Sequence, residues 1–190
     1  GTHVAGIAGA HTNNNIGVSS IGYGISIIPV KATRDNNLNG TINNAYDGVY
    51  YAALNNADII NCSWGGSYYS QTNNNIIQSA INNGSIIVAS AGNSNVNLGS
   101  SPRYPSCYNG VICVANTTQS DIKRSSSCYG TRVDISAPGT SILSTVPFSQ
   151  YDTKTGTSMS APMVAGLLGL MKSFSPNSSN LSDWLLSSSD

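Results

Sequence analysis

The sequence predicts an α/β fold built on a mostly parallel sheet. Short apolar runs alternate with segments of helical periodicity. Several of these runs end in small or glycine-containing turns, and one long apolar segment, Met159 to Phe174, follows directly on Gly156-Thr157-Ser158. Strand, helix, strand alternation gives right-handed crossovers, which set successive strands parallel.

Taken in order, Ile25 to Ala32 (ISIIPVKA) reads as a buried strand that Pro29 weakens. Thr41 to Asn56 reads as a helix, with Ile42, Tyr46, Val49 and Ala53 on one face and Thr41 as its cap. Ala57 to Ser63 is the next strand. Ser70 to Asn83 is a helix carrying Ile76, Ile77, Ala80 and Ile81, stopped by Gly84. Ser85 to Ala91, Val111 to Ala115 and Val133 to Ser136 complete the strands. Met159 to Phe174 is a helix stopped by Pro176, with Pro162 tolerated in its first turn. Leu181 to Leu186 forms a terminal helical turn.

Length and composition bound the function. A chain of 190 residues can bury a sizeable core as one domain. Only 8% of its residues are charged, against about 25% in typical domains, and its formal net charge is zero. No basic patch suggests nucleic acid, and no acidic tail suggests a charged partner. The longest apolar run, Met163 to Met171, is too short to span a membrane. Cys62, Cys107, Cys113 and Cys128 include no CxxC pair, so no zinc or iron–sulfur site is expected. Cys62 and Cys113 fall in buried strands, and Cys107 and Cys128 in loops, where a bridge between them is expected. Asn83-Gly84-Ser85 and Asn116-Thr117-Thr118 match the glycosylation pattern.

In a parallel sheet, ligands bind at the carboxyl ends of the strands. Three segments follow such ends: Arg34 to Gly40, Ser63 to Gly66, and Gly92-Asn93-Ser94. Ser158 stands at the start of the long apolar helix. Free backbone N–H groups and the positive end of the dipole favour negative charge there, as a nucleophilic hydroxyl needs. The carboxamide of Asn93 is a neutral donor able to bind an oxyanion, and Gly92 lets a substrate backbone approach.

The run Gly156-Thr157-Ser158-Met159-Ser160-Ala161-Pro162-Met163-Val164-Ala165-Gly166 resembles the nucleophile motif of the subtilisin-like serine peptidases, the subtilases. Ala91-Gly92-Asn93 resembles their oxyanion-hole motif. Ser63-Trp64-Gly65-Gly66 resembles the wall of the pocket for the residue before the scissile bond. Asn39-Gly40-Thr41 resembles the segment flanking the substrate on its other side. Gly1-Thr2-His3-Val4-Ala5-Gly6 resembles the family's histidine motif, with His3 matching its second histidine, which is not the general base.

The resemblance implies a three-layer subtilisin-like fold, truncated at the N-terminus so that the catalytic Asp and His lie upstream of Gly1. It implies a serine endopeptidase acting on proteins or peptides through an acyl-enzyme on Ser158, this segment alone being inactive. The alternative is a peptide-binding pseudopeptidase without a working triad. Site residues carried over are Ser158 and Asn93 for catalysis, and Ser63, Trp64, Gly65, Asn39, Gly40, Ala91 and Gly92 for substrate. Ala10 to Val18 resembles a calcium loop, with Asn14 its best side-chain ligand, and calcium is expected to be structural. Asp134 resembles a position at a weaker cation site, with carbonyls near Ser106, Tyr108 and Val111. Met163 stands where His is frequent. Low charge, abundant Asn and Ser, and the resemblance together imply secretion. No charged residue stands out in the pocket segments, so an apolar residue before the cut is expected.

Overall fold

A computed structural model describes residues 1–35 and 41–189. The expected substrate segment at Asn39 and Gly40 therefore lies outside the described residues. Among the described residues, five helices and six strands run α1 (Thr2–Gly9), α2 (Ala45–Leu54), β1 (Ile59–Cys62), α3 (Gln71–Asn82), β2 (Ile86–Ser90), β3 (Val111–Thr117), β4 (Ile135–Pro138), β5 (Ile142–Val146), β6 (Gln150–Lys154), α4 (Thr157–Phe174) and α5 (Leu181–Ser187). Strands β1 to β4 pair in chain order, all parallel. Strands β5 and β6 form a separate antiparallel hairpin.

Alternation along the central strands builds the three layers. Ile87 and Ala89 of β2 face one way, onto Val49 and Ala52 of α2 and Ile77 and Ala80 of α3. Val88 between them faces the other way, with Ile112 and Val114 of β3, onto Ala161, Val164, Ala165 and Leu168 of α4 and Leu181 and Leu185 of α5. A strand covered on both faces reads as continuous apolar sequence, as β2 and β3 do. Helix α1 lies against α4 and the hairpin. Helix α3 starts where Ser70 Oγ accepts from the Asn73 N–H at 3.3 Å, and it stops at Gly84, whose φ is +95°.

Ile25 to Ala32 is not a strand: no ladder forms along it, and Ile27, Ile28 and Val30 stay 38–44% exposed. Apolar character specifies a strand only where a neighbour accepts its backbone bonds, and no described strand lies beside it. Helix α2 begins at Ala45 rather than Thr41. Asn44 precedes it and donates its N–H to Ala32 O, while Thr41 O accepts from Thr33 Oγ1. Helix α1 and the β5–β6 hairpin were not expected. The first is obscured by two glycines and three β-branched residues; the second has a wholly exposed strand, Gln150–Lys154, with no burial pattern to read.

The expected bridge between Cys107 and Cys128 is also corrected: all four cysteines are free thiols. Both lie inside the protein rather than on loops at the surface, in one cluster with Cys113, Ala91 and Leu98. Burial pushes the Cys62 and Cys113 thiols up to about 12. Asn116 is completely buried and bonded to Gly139 O and Thr140 Oγ1, so its sequon cannot carry a glycan without unfolding.

Two measurements test this packing. Leu168→Ala, at a fully buried side chain, should cost about 2–5 kcal/mol in denaturant unfolding. Denatured, unreduced protein should titrate four thiols, whereas native protein at pH 8 should leave Cys62 and Cys113 unmodified by iodoacetamide.

Candidate active site

The carboxyl ends of β1 and β2 meet the first turn of α4, and Thr157 fastens the join. Its N–H donates to Asn93 Oδ1 at 2.9 Å and its hydroxyl donates to the same oxygen at 3.2 Å. Its Oγ1 in turn accepts from the Gly92 N–H at 3.1 Å. Thr157 is fully buried. With Oδ1 held twice, the amide cannot flip without losing both bonds, and Nδ2 is left as the free donor. Gly92 has φ of +103°, and a Cβ there would lie 3.2 Å from Cys128 Sγ. Gly156 is required by close approach, since its Cβ would sit 3.3 Å from Asn93 Nδ2.

Ser158 is the second residue of α4. Its Oγ donates to Ser63 O at 3.2 Å, and Ser63 Oγ donates back to Ser158 O at 2.9 Å. Asn61 of β1 supports Ser63 by donating Nδ2 to its Oγ at 3.0 Å. In the first turn of α4 the Thr157 N–H is taken by Asn93 and the Met159 N–H by Gly156 O, while N-cap Gly156 has no side chain with which to cap the Ser158 N–H. The arrangement can therefore stabilise a negative oxygen between the Ser158 N–H and Asn93 Nδ2.

A cavity of about 330 Å³ opens beside Ser158, with Asn93, Gly92, Trp64 and Gly65 in its wall. It thus gathers five expected residues. Ser63 is joined to it through Ser158, and Ala91 lies buried directly behind Gly92. A second cavity of about 470 Å³ shares Trp64, Gly65 and Gly66 and reaches Tyr46 and Tyr104. Trp64 packs edge-on to Tyr46 at 5.0 Å between ring centroids. Gly66 exchanges two backbone bonds with Tyr104, each 2.8 Å, which fixes the wall between the cavities.

Two groups of the site escaped the sequence reading. Thr157 sat inside the quoted motif with no role. Arg103, forty residues beyond Ser63, also lines the first cavity. This removes the ground for expecting an apolar residue before the cut. The only local signal was the rarity of cations in so weakly charged a chain.

His3 is not near this chemistry. It is 5% exposed, and its Nε2 donates to Ile142 O and Asp152 O of the hairpin at 3.1 and 3.0 Å. Asp152 is exposed in β6 and meets His3 through its backbone only. In the Ala10–Val18 loop, Asn14 Oδ1 accepts from the Ile16 N–H at 3.0 Å. Among the described residues no group of three His, Cys, Asp or Glu could hold a metal ion. Asp134 Oδ2 accepts from the Cys113 N–H at 2.7 Å, which ties the start of β4 to β3.

Comparison with known proteins follows the same lines. The Subtilase family profile matches residues 1–188. Thermitase from Thermoactinomyces vulgaris is 42% identical over 181 residues, covering 95% of this chain and 63% of that protein. An extracellular protease of Xanthomonas campestris is 40% identical over 195 residues, covering 93% of this chain and 33% of that protein. A solved protease structure from Pseudoalteromonas arctica superposes with a TM-score of 0.90 at 32% identity, over 99% of this chain and 63% of that one. The chain thus spans less than two thirds of each of these relatives.

Asp134 gives a pH test. Burial raises its pKa above the ordinary 3.8, partly offset by the Cys113 N–H. A carboxyl whose folded pKa is raised loses stability as pH climbs from the unfolded value through the folded one. Asn at this position keeps an oxygen for Cys113 and carries no charge. Asp134→Asn should therefore be more stable than the natural protein at pH 7, and the gain should vanish below about pH 4; urea midpoints at pH 7 and pH 3 measure it.

Proposed function

The chain belongs to the subtilase family, and from that premise we propose that the protein containing it is a serine endopeptidase with Ser158 as its nucleophile. The observation that carries this reading is the Thr157 knot, which sets the Asn93 amide and the start of α4 around one cavity beside the serine hydroxyl. Ser158 Oγ attacks the scissile carbonyl to form an acyl-enzyme. The carbonyl oxygen, as its charge develops, takes hydrogen bonds from Asn93 Nδ2 and the Ser158 N–H. Trp64, Gly65 and Gly92 wall the substrate channel with Ser63 and Ala91 behind them, and the family resemblance assigns Asn39 and Gly40, outside the described residues, to the substrate as well. Extended protein or peptide substrates fit such a wall by main-chain pairing.

Deprotonation needs a base, and His3 cannot supply it while two carbonyls hold its ring. The base and the acid that orients it come from outside residues 1–190, in the same catalytic domain. Three features support that extension of the domain. The apolar segment with Ile27, Ile28 and Val30 stands uncovered. Strand β1 ends the described sheet with a free edge. His3 Nδ1 is buried without a partner among the described residues. The peptide-binding alternative gains nothing from the geometry, because a mere binder has no use for a held amide aimed past a serine.

Structural calcium at Ala10–Val18 is part of this reading. The loop offers neutral oxygens, the ligand type calcium takes, and turns through positive φ at Asn13, Asn15 and Gly17. Asn14 Oδ1 keeps a second lone pair free for a cation. A carboxylate ligand would have to come from elsewhere in the protein. Secretion is supported by the names of the extracellular relatives, and no helix among the described residues is long and apolar enough to cross a membrane.

In the full-length protein, a fluorophosphonate should label Ser158 and nothing else. Ser158→Ala should lower kcat by roughly 10⁶-fold, and Asn93→Leu by about 10²–10³-fold with little change in KM. Both sizes are those known for subtilisins rather than derived from this geometry. Full activity in Ser158→Ala would overturn the assignment.

A further inference from the structure

The geometry points to Arg103 as the receptor for an acidic side chain, so that the protein cleaves after glutamate or aspartate. This rests on Ser158 being a peptide-cleaving nucleophile and names the substrate class of that same site.

Arg103 is the only charged residue among those lining the cavity beside Ser158. The remainder of the wall is neutral and, Trp64 apart, built of small residues, with Gly65, Gly66 and Gly92 among them. Among the described residues no carboxylate pairs with Arg103; the two ion pairs present are Lys31–Asp35 and Lys172–Asp58. Its one side-chain bond runs from Nη2 to Ser94 Oγ, at 3.3 Å. A guanidinium has five N–H donors in a planar fork, so most remain for a carboxylate, which the fork can bind with two parallel bonds.

The backbone that carries the fork is also held in place. The Arg103 N–H donates to Cys107 Sγ at 3.4 Å, and its carbonyl accepts from Ser106 Oγ and the Cys107 N–H at 3.0 and 2.8 Å. Its stem runs past Gly92, where a Cβ would lie 3.7 Å from Arg103 Cγ. The stem therefore lies within van der Waals reach of the oxyanion segment.

The surroundings favour the same sign. Between Asn93 and Arg132 the cations Arg103, Lys123, Arg124 and Arg132 face a single carboxylate, Asp121. Lys123 Nζ sits 3.3 Å from Asn95 Oδ1, beside the loop that carries Asn93. A lysine or arginine side chain entering the cavity would meet like charge with no acid to offset it. An apolar one would cover the guanidinium and strip it of water without replacing those bonds. A glutamate side chain satisfies it.

The test compares kcat/KM of the full-length protein on peptides identical except for Glu, Gln, Phe or Lys before the scissile bond, per Ser158 titrated by fluorophosphonate. Glu should exceed its neutral isostere Gln by about ten-fold. That ratio should shrink toward one in 1 M salt, where screening acts within about 3 Å. Arg103→Met keeps the stem and should bring the Glu and Gln rates together, while Arg103→Glu should turn the preference toward Lys. Cleavage with a Glu/Gln ratio at or below one, or a ratio unchanged in Arg103→Met, would overturn the assignment to Arg103 and leave the peptidase reading standing. Absence of both cleavage and Ser158 labelling would overturn the reading beneath it.

Discussion

The site hangs on one buried threonine. Thr157 gives both its hydrogens to Asn93 Oδ1 and takes one from the Gly92 N–H. A parallel sheet brings the end of β2 and the start of α4 near each other, but proximity alone would leave a carboxamide free to rotate. Three bonds in a fully buried setting remove that freedom. The ordering entropy of the amide is settled on folding, so none remains to be lost when charge develops on a substrate. The glycines on both sides follow from the same knot: Gly156 because Asn93 sits against it, Gly92 because it must turn through positive φ over Cys128.

Much of this was legible in the sequence, and the reason is burial. Strand β2 and helix α4 are covered on nearly every side, so their composition reports their environment directly. The turn residues at their ends are small because backbones approach there, which made Gly92-Asn93 and Gly156-Thr157-Ser158 readable as a site. What failed did so where one sequence segment depends on another. Ile25 to Ala32 has strand composition but no described neighbour to pair with, and composition cannot report a missing partner. The cysteines were sorted by local context into strand and loop, yet tertiary packing put Cys107, Cys113 and Cys128 into one cluster.

Arg103 is the sharpest instance. Its neighbours in sequence, Pro102 and Tyr104, say nothing of Ser158. The turn after it, tied by Ser106 and Cys107, sends its stem across Gly92 into the cavity. A chain with eight cations and eight carboxylates keeps its formal charge at zero, but the distribution is uneven, and the loops around Asn93 hold half of the cations. Net charge speaks only to large charged partners. It could not speak to a single guanidinium within one cavity, where local placement rather than the sum decides the field.

A last link runs from the sheet edge to the nucleophile. Asn61 lies in β1, the edge strand of the described sheet, and its Nδ2 holds Ser63 Oγ. Ser63 Oγ holds the Ser158 carbonyl, and the Ser63 carbonyl takes the Ser158 hydroxyl proton's bond. The resting hydroxyl is therefore turned toward the substrate wall, and it must release Ser63 O before a base can take its proton. Asn61 Oδ1 is buried and unpartnered among the described residues. A buried amide oxygen left so carries a desolvation cost of about 1–3 kcal/mol. The free edge strand and the Ser158 backbone are thus two hydrogen bonds apart, so whatever shifts β1 is felt in the first turn of α4 through Asn61 and Ser63.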